Sequence, residues 1–225
     1  MDGRHELKHF INAANCAVLR ARLRVVAKPD ENSKASGGYI VRSLYFDNYN
    51  DKAVFEKLSG VSRREKFRLR YYNGDTSFIR LEKKRKANRL SYKESAVVTL
   101  EQCKALLSGL SGDYECLKLP DTPLLMELYT KMRYQNLRPR SIVDYEREAY
   151  VCKAGNVRVT FDSRIRTSNN AIGFLNPQSV MIPAANSIVL EIKYDGFLPD
   201  IIRDVVQTVQ RNQTEFSKYV TARLV

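Results

Sequence analysis

The stretch REKFRLRYY, residues 64–72, places Arg64, Lys66, Arg68 and Arg70 at every second position, with Glu65, Phe67, Leu69 and Tyr71 between them. On a β-strand successive side chains point to opposite faces. Four cations then share one face at spacings of roughly 7 Å, opposite a mostly apolar row. Like charges that close repel, so the strand needs a counter-charge from elsewhere.

The pattern recurs. In FIRLEKKRK, Arg80, Glu82, Lys84 and Lys86 oppose Ile79 and Leu81; in VRVTFD, Arg158, Thr160 and Asp162 oppose Val157, Val159 and Phe161. In IVLEIKYD, Glu191 and Lys193 oppose Ile188, Leu190, Ile192 and Tyr194; in HELKHF, Glu6 and Lys8 are two apart. For any one strand the plain reading is a half-exposed antiparallel sheet with a solvated outer face. Such faces usually mix signs, because like charges on neighbouring strands destabilise the pair. The alternative closes the strands into a barrel, with the charged face inward and the apolar face against helices. A polyanion in the lumen then supplies the counter-charge, Arg gripping phosphate through two-pronged hydrogen bonds and Lys acting as a point charge. The few acids, Glu6, Glu82, Asp162 and Glu191, cannot neutralise that lining but could hold Mg²⁺ or Mn²⁺.

Composition agrees with an anionic ligand. The 225 residues carry 38 basic and 25 acidic side chains, a net charge of +13, and 44% are hydrophobic, which marks a folded chain with ample core. From Val61 to Lys93 there are 12 Lys or Arg against 3 Asp or Glu, so the excess is concentrated. No apolar run is long enough to span a membrane and the first residues lack a signal-peptide core, so a cytoplasmic location is expected. Cys16, Cys103, Cys116 and Cys152 form no CxxC pair and read as reduced thiols. His5 and His9 are placed on a strand, where their spacing does not suit a shared metal.

The elements alternate strands and helices in one α+β domain, residues 1–225. Strands are expected at 4–10, 39–46, 64–72, about 77–86, about 89–98, about 140–152, 156–162 and 187–194. Asn73-Gly74-Asp75 turns one hairpin and Lys86-Ala87-Asn88 the next. Helices are expected near Asn12–Ala27, in NDKAVFEKLSG, after the Thr99/Gln102 capping pair, from Pro123, in PDIIRDVVQTVQRN and in TEFSKYVTARLV. PDENSKASGG is expected to be a mobile loop, and residues 168–186 either a lid or a long connection. Tyr45, Phe46, Phe67 and Phe161 are assigned to the core; Lys83, Arg85 and Arg89 to a solvated edge or hairpin tip.

RHELKHF, VRSLYFDN, KFRLRYYN, RLEKKRK, YEREAY, VRVTFD, VLEIKYDGFLP and FSKY stand in one order over about residues 4 to 220. This order resembles the vacuolar transporter chaperone (VTC) polyphosphate polymerase domain, of the triphosphate tunnel metalloenzymes or CYTH superfamily. The resemblance implies an antiparallel eight-stranded β-barrel, a triphosphate tunnel, with helices packed outside. It assigns Arg68, Arg70, Lys84, Arg147 and Arg158 to the catalytic grip on phosphate. Lys8, Lys66, Lys93, Lys193, Ser217 and Lys218 are assigned to phosphate binding, and Glu191, with Glu6 and Glu82, to a metal. It implies transfer of the terminal phosphate of a nucleoside triphosphate, with ATP the expected donor, onto polyphosphate, with Mn²⁺ or Mg²⁺ as cofactor. Arg4 stands where the cyclase and thiamine triphosphatase branches carry a first Glu, which favours the polymerase-like branch. Coupling to membrane transport would need a separate membrane partner.

Two other classes stay open: a tunnel that hydrolyses short triphosphates, and a module that binds polyphosphate or another acidic ligand without turnover. Nucleic-acid binding through Tyr71-Tyr72 is disfavoured, since those tyrosines suit core packing better.

Overall fold

The computed structural model describes residues 3–33, 37–87, 90–108, 122–207 and 212–225. Its strands are β1 (His5–Ile11), β2 (Lys28–Pro29), β3 (Tyr39–Asp47), β4 (Arg64–Tyr72), β5 (Asp75–Ala87), β6 (Leu90–Val98), β7 (Arg138–Cys152), β8 (Val157–Ser168), β9 (Ile182–Ala185), β10 (Ile188–Tyr194) and β11 (Asn212–Gln213). The helices are α1 (Ala13–Val26), α2 (Lys52–Leu58), α3 (Leu100–Ser108), α4 (Pro123–Tyr134), α5 (Asp200–Val205) and α6 (Lys218–Arg223).

Eight antiparallel strands run in the order β1-β10-β8-β7-β3-β4-β5-β6, with β2 beside β7, β9 beside β8 and β11 beside β1. The sheet curls until its ends meet through one bridge, Arg4 to Ser91, where each backbone N–H donates to the other's carbonyl (3.1 and 3.2 Å). This is the α+β barrel that the family resemblance implies. The Asn73-Gly74 turn has φ of 51° and 75°, the left-handed pair that a two-residue hairpin demands.

The two faces of the sheet carry different cores. Outside, Leu44, Phe67, Leu69, Tyr71, Ile79 and Leu81 pack under α3 and α4. Thr99 and Gln102 cap α3 reciprocally, and Pro123 opens α4 behind Thr122. On the other outer flank Leu190, Ile192, Val159 and Phe161 pack under α1 and α5. The third core lies inside: Tyr39, Val41, Tyr45, Val143, Tyr145 and Val189 meet Tyr219, Val220 and Ala222 of α6. Strand side chains leave space in an eight-stranded barrel, and α6 fills part of it.

Several expectations shift. Strand β7 starts two residues earlier, at Arg138, opposite Asp47 of β3, and β8 continues to Ser168, because its end pairs with β7 on one side and β9 on the other. Residues 168–186 form a connection against the outer face: Phe174 is fully buried, its carbonyl accepts from Tyr71, and Arg42 donates to the Asn176 carbonyl (2.6 Å). Lys83 is buried, not a solvated edge; it donates to both Glu127 oxygens (2.7 and 2.8 Å) and ties β5 to α4. Tyr71 is buried among apolar groups and is not free to stack a base. Cys16, Cys103 and Cys152 are free thiols. Cys116, residues 34–36 of the polar loop, Asn88 and Arg89 of the second hairpin, and residues 208–211 of the expected terminal helix lie outside the described residues. No described helix is long and apolar enough to cross a membrane.

Candidate functional site

The space that α6 leaves is a cavity of about 490 Å³. All fourteen residues singled out from the sequence line it: Lys8 and Glu6 from β1, Lys66, Arg68 and Arg70 from β4, Glu82 and Lys84 from β5, Lys93 from β6, Arg147 from β7, Arg158 from β8, Glu191 and Lys193 from β10, and Ser217 and Lys218 at the start of α6. Arg4 and Arg80 join them, so 12 Lys or Arg face 3 Glu. Period-two alternation puts them there: Lys66 sits opposite Lys84, Arg70 opposite Arg80 and Lys84 opposite Lys93, like charges directly across strand pairs.

Each acid holds more than one cation. Glu82 Oε2 accepts from Arg68 (2.7 Å to Nε, 2.6 Å to Nη2), and Lys93 Nζ lies 2.7 Å from Oε1. Burial opposes its ionisation, but Arg68, Arg70 and Lys93 hold it far below the usual carboxylate range. Glu6 lies between Lys8 (3.0 Å) and Lys84 (2.5 Å), and Glu191 between Lys193 (2.7 Å) and Lys8 (3.9 Å). Against the cost of burial, Lys193 and Lys8 likewise keep Glu191 ionised. Asp162, fully buried, does not reach the cavity; it grips Arg147 through two bonds of 2.7 Å and Lys218 at 2.5 Å. Arg158 is aimed by Asp30 and Tyr39, both at 3.0 Å.

Lys66 differs. It makes no ion pair among the described residues; its ammonium lies 5.4 Å from the Tyr45 ring centroid, and Lys84, Lys8 and Arg68 surround it. Burial, helped by those neighbouring cations, pushes its pKa down to about 7. Burial likewise lowers Lys84 to about 8, with Glu6 opposing and Lys8 and Lys193 reinforcing. Tyr45 is resisted by burial yet brought down to about 7 by Arg68, Lys66 and Arg70, and its hydroxyl accepts from Arg68 at 3.1 Å.

Two phenols that the sequence did not single out for the site also line the cavity. Tyr45, read as core, lines the cavity; Tyr145 accepts from Arg70 at 2.8 Å, and Ser43 takes the same guanidinium's Nε at 3.1 Å. The available signal was parity: Tyr39, Ser43 and Tyr45 alternate on β3 as the cations do on β4.

A divalent ion fits these residues only as a shared guest. Among the described residues no three His, Cys, Asp or Glu gather as a cage. Glu191 and Glu6 are hard oxygen donors on neighbouring strands, and Glu6 Oε1 is buried without a well-aligned hydrogen bond. One or two carboxylates completed by phosphate oxygens is the usual arrangement for Mg²⁺. Glu82 has cations at both oxygens and would have to release Lys93 to serve as a ligand.

A model of the VTC domain matches residues 3–225. A search of curated proteins finds no match. Among solved structures, a "putative adenylate cyclase" from Bacillus halodurans is 10% identical, covering 85% of this chain and 82% of its own, with a TM-score of 0.50, and shares the fold. The PH1012 and PH1819 proteins of Pyrococcus horikoshii OT3, each 13% identical over 90% of this chain and 85% and 84% of theirs, superpose with TM-scores of 0.44 and 0.43.

Proposed function

This chain belongs to the VTC-domain family of triphosphate tunnel proteins, and on that premise we propose that it is a metal-dependent phosphotransferase. It moves the terminal phosphate of a nucleoside triphosphate, with ATP the expected donor, onto a polyphosphate chain held in the lumen. The observation that carries this reading is the lining itself, 12 Lys or Arg against 3 Glu, with ten of the cations on strands. A solvated surface would not concentrate like charges across paired strands, whereas phosphates between them turn repulsion into attraction.

Phosphoryl transfer asks chiefly for positioning and charge neutralisation. Arg68 and Arg70 are held by Glu82, Ser43 and Tyr145, and Arg147 by Asp162, so their forks are set before substrate arrives. These arginines, with Lys84, Arg158 and Lys193, align donor and acceptor. The bond from the terminal phosphorus to its bridging oxygen breaks as the acceptor's terminal oxygen bonds to that phosphorus, and a nucleoside diphosphate leaves. The acceptor oxygen is already anionic, so no general base is needed. Glu191 and Glu6 would hold Mg²⁺ or Mn²⁺, which supplies further neutralisation of the phosphate oxygens. Phe78, Tyr72 and Tyr92 line the large cavity, and Phe78 is 41% exposed, which suits a nucleoside end.

The test is incubation with ATP and Mn²⁺ or Mg²⁺, with Glu191→Ala in parallel, resolved on a gel that separates phosphate chains. Long chains from the wild type alone are expected. Free phosphate alone would make the chain a tunnel hydrolase; neither product, with triphosphate still raising the melting temperature, would make it a binding module.

A further inference from the structure

The lumen has a second, smaller chamber of about 160 Å³ that shares Glu6, Lys8, Lys66, Lys84, Ser91 and Ser217 with the large one. Its outer rim belongs to neither the expected site nor the core. Three cations from three elements meet there: Lys57 of α2, Arg64 of β4 and Lys86 of β5, the last two directly opposite each other across the strand pair. One carboxylate faces all three. Glu215 bonds Lys57 and lies 4.0 Å from both Arg64 and Lys86.

Glu215 is placed firmly but held lightly. Its backbone is pinned on both sides: the Thr214 N–H donates to the Lys8 carbonyl (2.9 Å), Lys8 donates to the Phe216 carbonyl (3.0 Å), and the Phe216 ring meets Phe10 at 5.1 Å. Its side chain is 72% exposed, so water competes for every one of its ion pairs. It therefore presents one solvent-exposed anionic group to a cationic rim continuous with a cationic lumen. Both chambers carry aromatic rings, Phe216 and Tyr219 in the small one, but Phe78 and Tyr72 line only the large one, at the opposite end of the β4-β5 pair from Arg64 and Lys86, which gives the two ends different chemistry.

We propose that Lys57, Arg64 and Lys86 form an exit subsite for the tail of a polyphosphate longer than the lumen holds, and that Glu215 occupies this subsite until the polyanion displaces it. The subsite rests on the lumen binding phosphate at all. It adds a direction, with the nucleoside at the Phe78 and Tyr72 end and the chain leaving past Glu215. A flexible polyanion repeats its charge along its length and can satisfy all three cations at once, which a single carboxylate cannot.

The experiment measures binding of inorganic tripolyphosphate and of a long inorganic polyphosphate to the wild type, Glu215→Gln and Arg64→Ala/Lys86→Ala, at one fixed ionic strength. Glu215→Gln is expected to tighten the long chain by about two- to fivefold, the worth of an exposed ion pair, and to leave tripolyphosphate unchanged. The double variant is expected to reduce the long-to-short affinity ratio. All four residues lie at the rim, and melting curves verify that the variants are folded. A ratio identical in all three proteins, or equal tightening of both ligands by Glu215→Gln, would overturn the subsite while leaving the lumen intact. No tripolyphosphate binding by the wild type would overturn both.

Discussion

Lys66 and Lys84 sit opposite each other on β4 and β5, and Lys66 has no carboxylate partner among the described residues. With a pKa brought by burial to about 7, against about 10.4 in an unfolded chain, Lys66 sheds its proton in the folded state first. Between those values the unfolded chain binds more protons, so the ligand-free protein gains stability as pH rises from about 7 to about 10. The lowered Tyr45 pKa acts with the same sign, since its phenol too is protonated only in the unfolded chain across that window. Phosphate binding pulls the proton back, so affinity is greatest below about pH 7. The prediction is that Lys66→Met melts higher than wild type at pH 7 without ligand, binds tripolyphosphate more weakly, and shows a shallower loss of affinity from pH 7 to 9. A lower melting temperature for the variant would show that Lys66 is already paired. The sequence told which side chains shared a face, because alternation is local. It did not tell that Asp162 clamps Arg147 and Lys218 or that Tyr45 answers Arg68, because the two strand pairs depend on the register between neighbouring strands, which alternation alone does not fix, and Lys218 arrives from α6.

At the scale of elements, the inside-out strands are stable because their apolar rows are covered. Leu128 of α4 is fully buried over β4 and β5 with Leu69, Ile79 and Leu81. Leu128→Ala is expected to cost about 2–5 kcal/mol in denaturant unfolding while leaving the affinity for tripolyphosphate unchanged, since α4 contacts only the outer face. Loss of binding at matched folded fraction would mean that outer packing sets the lumen's geometry. The bounds of β3 and β4, the Asn73-Gly74 turn and the caps of α1, α3 and α4 were legible, since each has a local chemical cause. The ends of β7 and β8 were not. The start of β7 is set by its pairing with β3, Arg138 opposite Asp47, and the end of β8 by β7 and by β9, whose Ile-Pro-Ala-Ala carries no strand pattern of its own and pairs only because the barrel brings it alongside. The place of α6 inside the barrel was equally hidden: a short segment ending in Tyr219, Val220 and Ala222 reads as amphipathic without saying which core it joins.

For the whole molecule, the barrel is an ordinary antiparallel sheet turned so that its costly face is enclosed. Enclosure strengthens every charge interaction within, in both directions: repulsion between lysines when the lumen is empty of anions, attraction when phosphate fills it. The family match over residues 3–225 and the eight-strand curl agree with this design, and the +13 net charge is its visible trace in composition. The central claim is that the lining exists for phosphate. Its most direct test is a calorimetric titration of the wild type and Arg70→Ala with inorganic tripolyphosphate at pH 7. Saturable one-site binding is predicted for the wild type, with the variant weaker by about 10- to 100-fold, the worth of charge-assisted hydrogen bonds from one buried guanidinium. Absence of saturable binding, or equal affinity in the two proteins, would contradict the account.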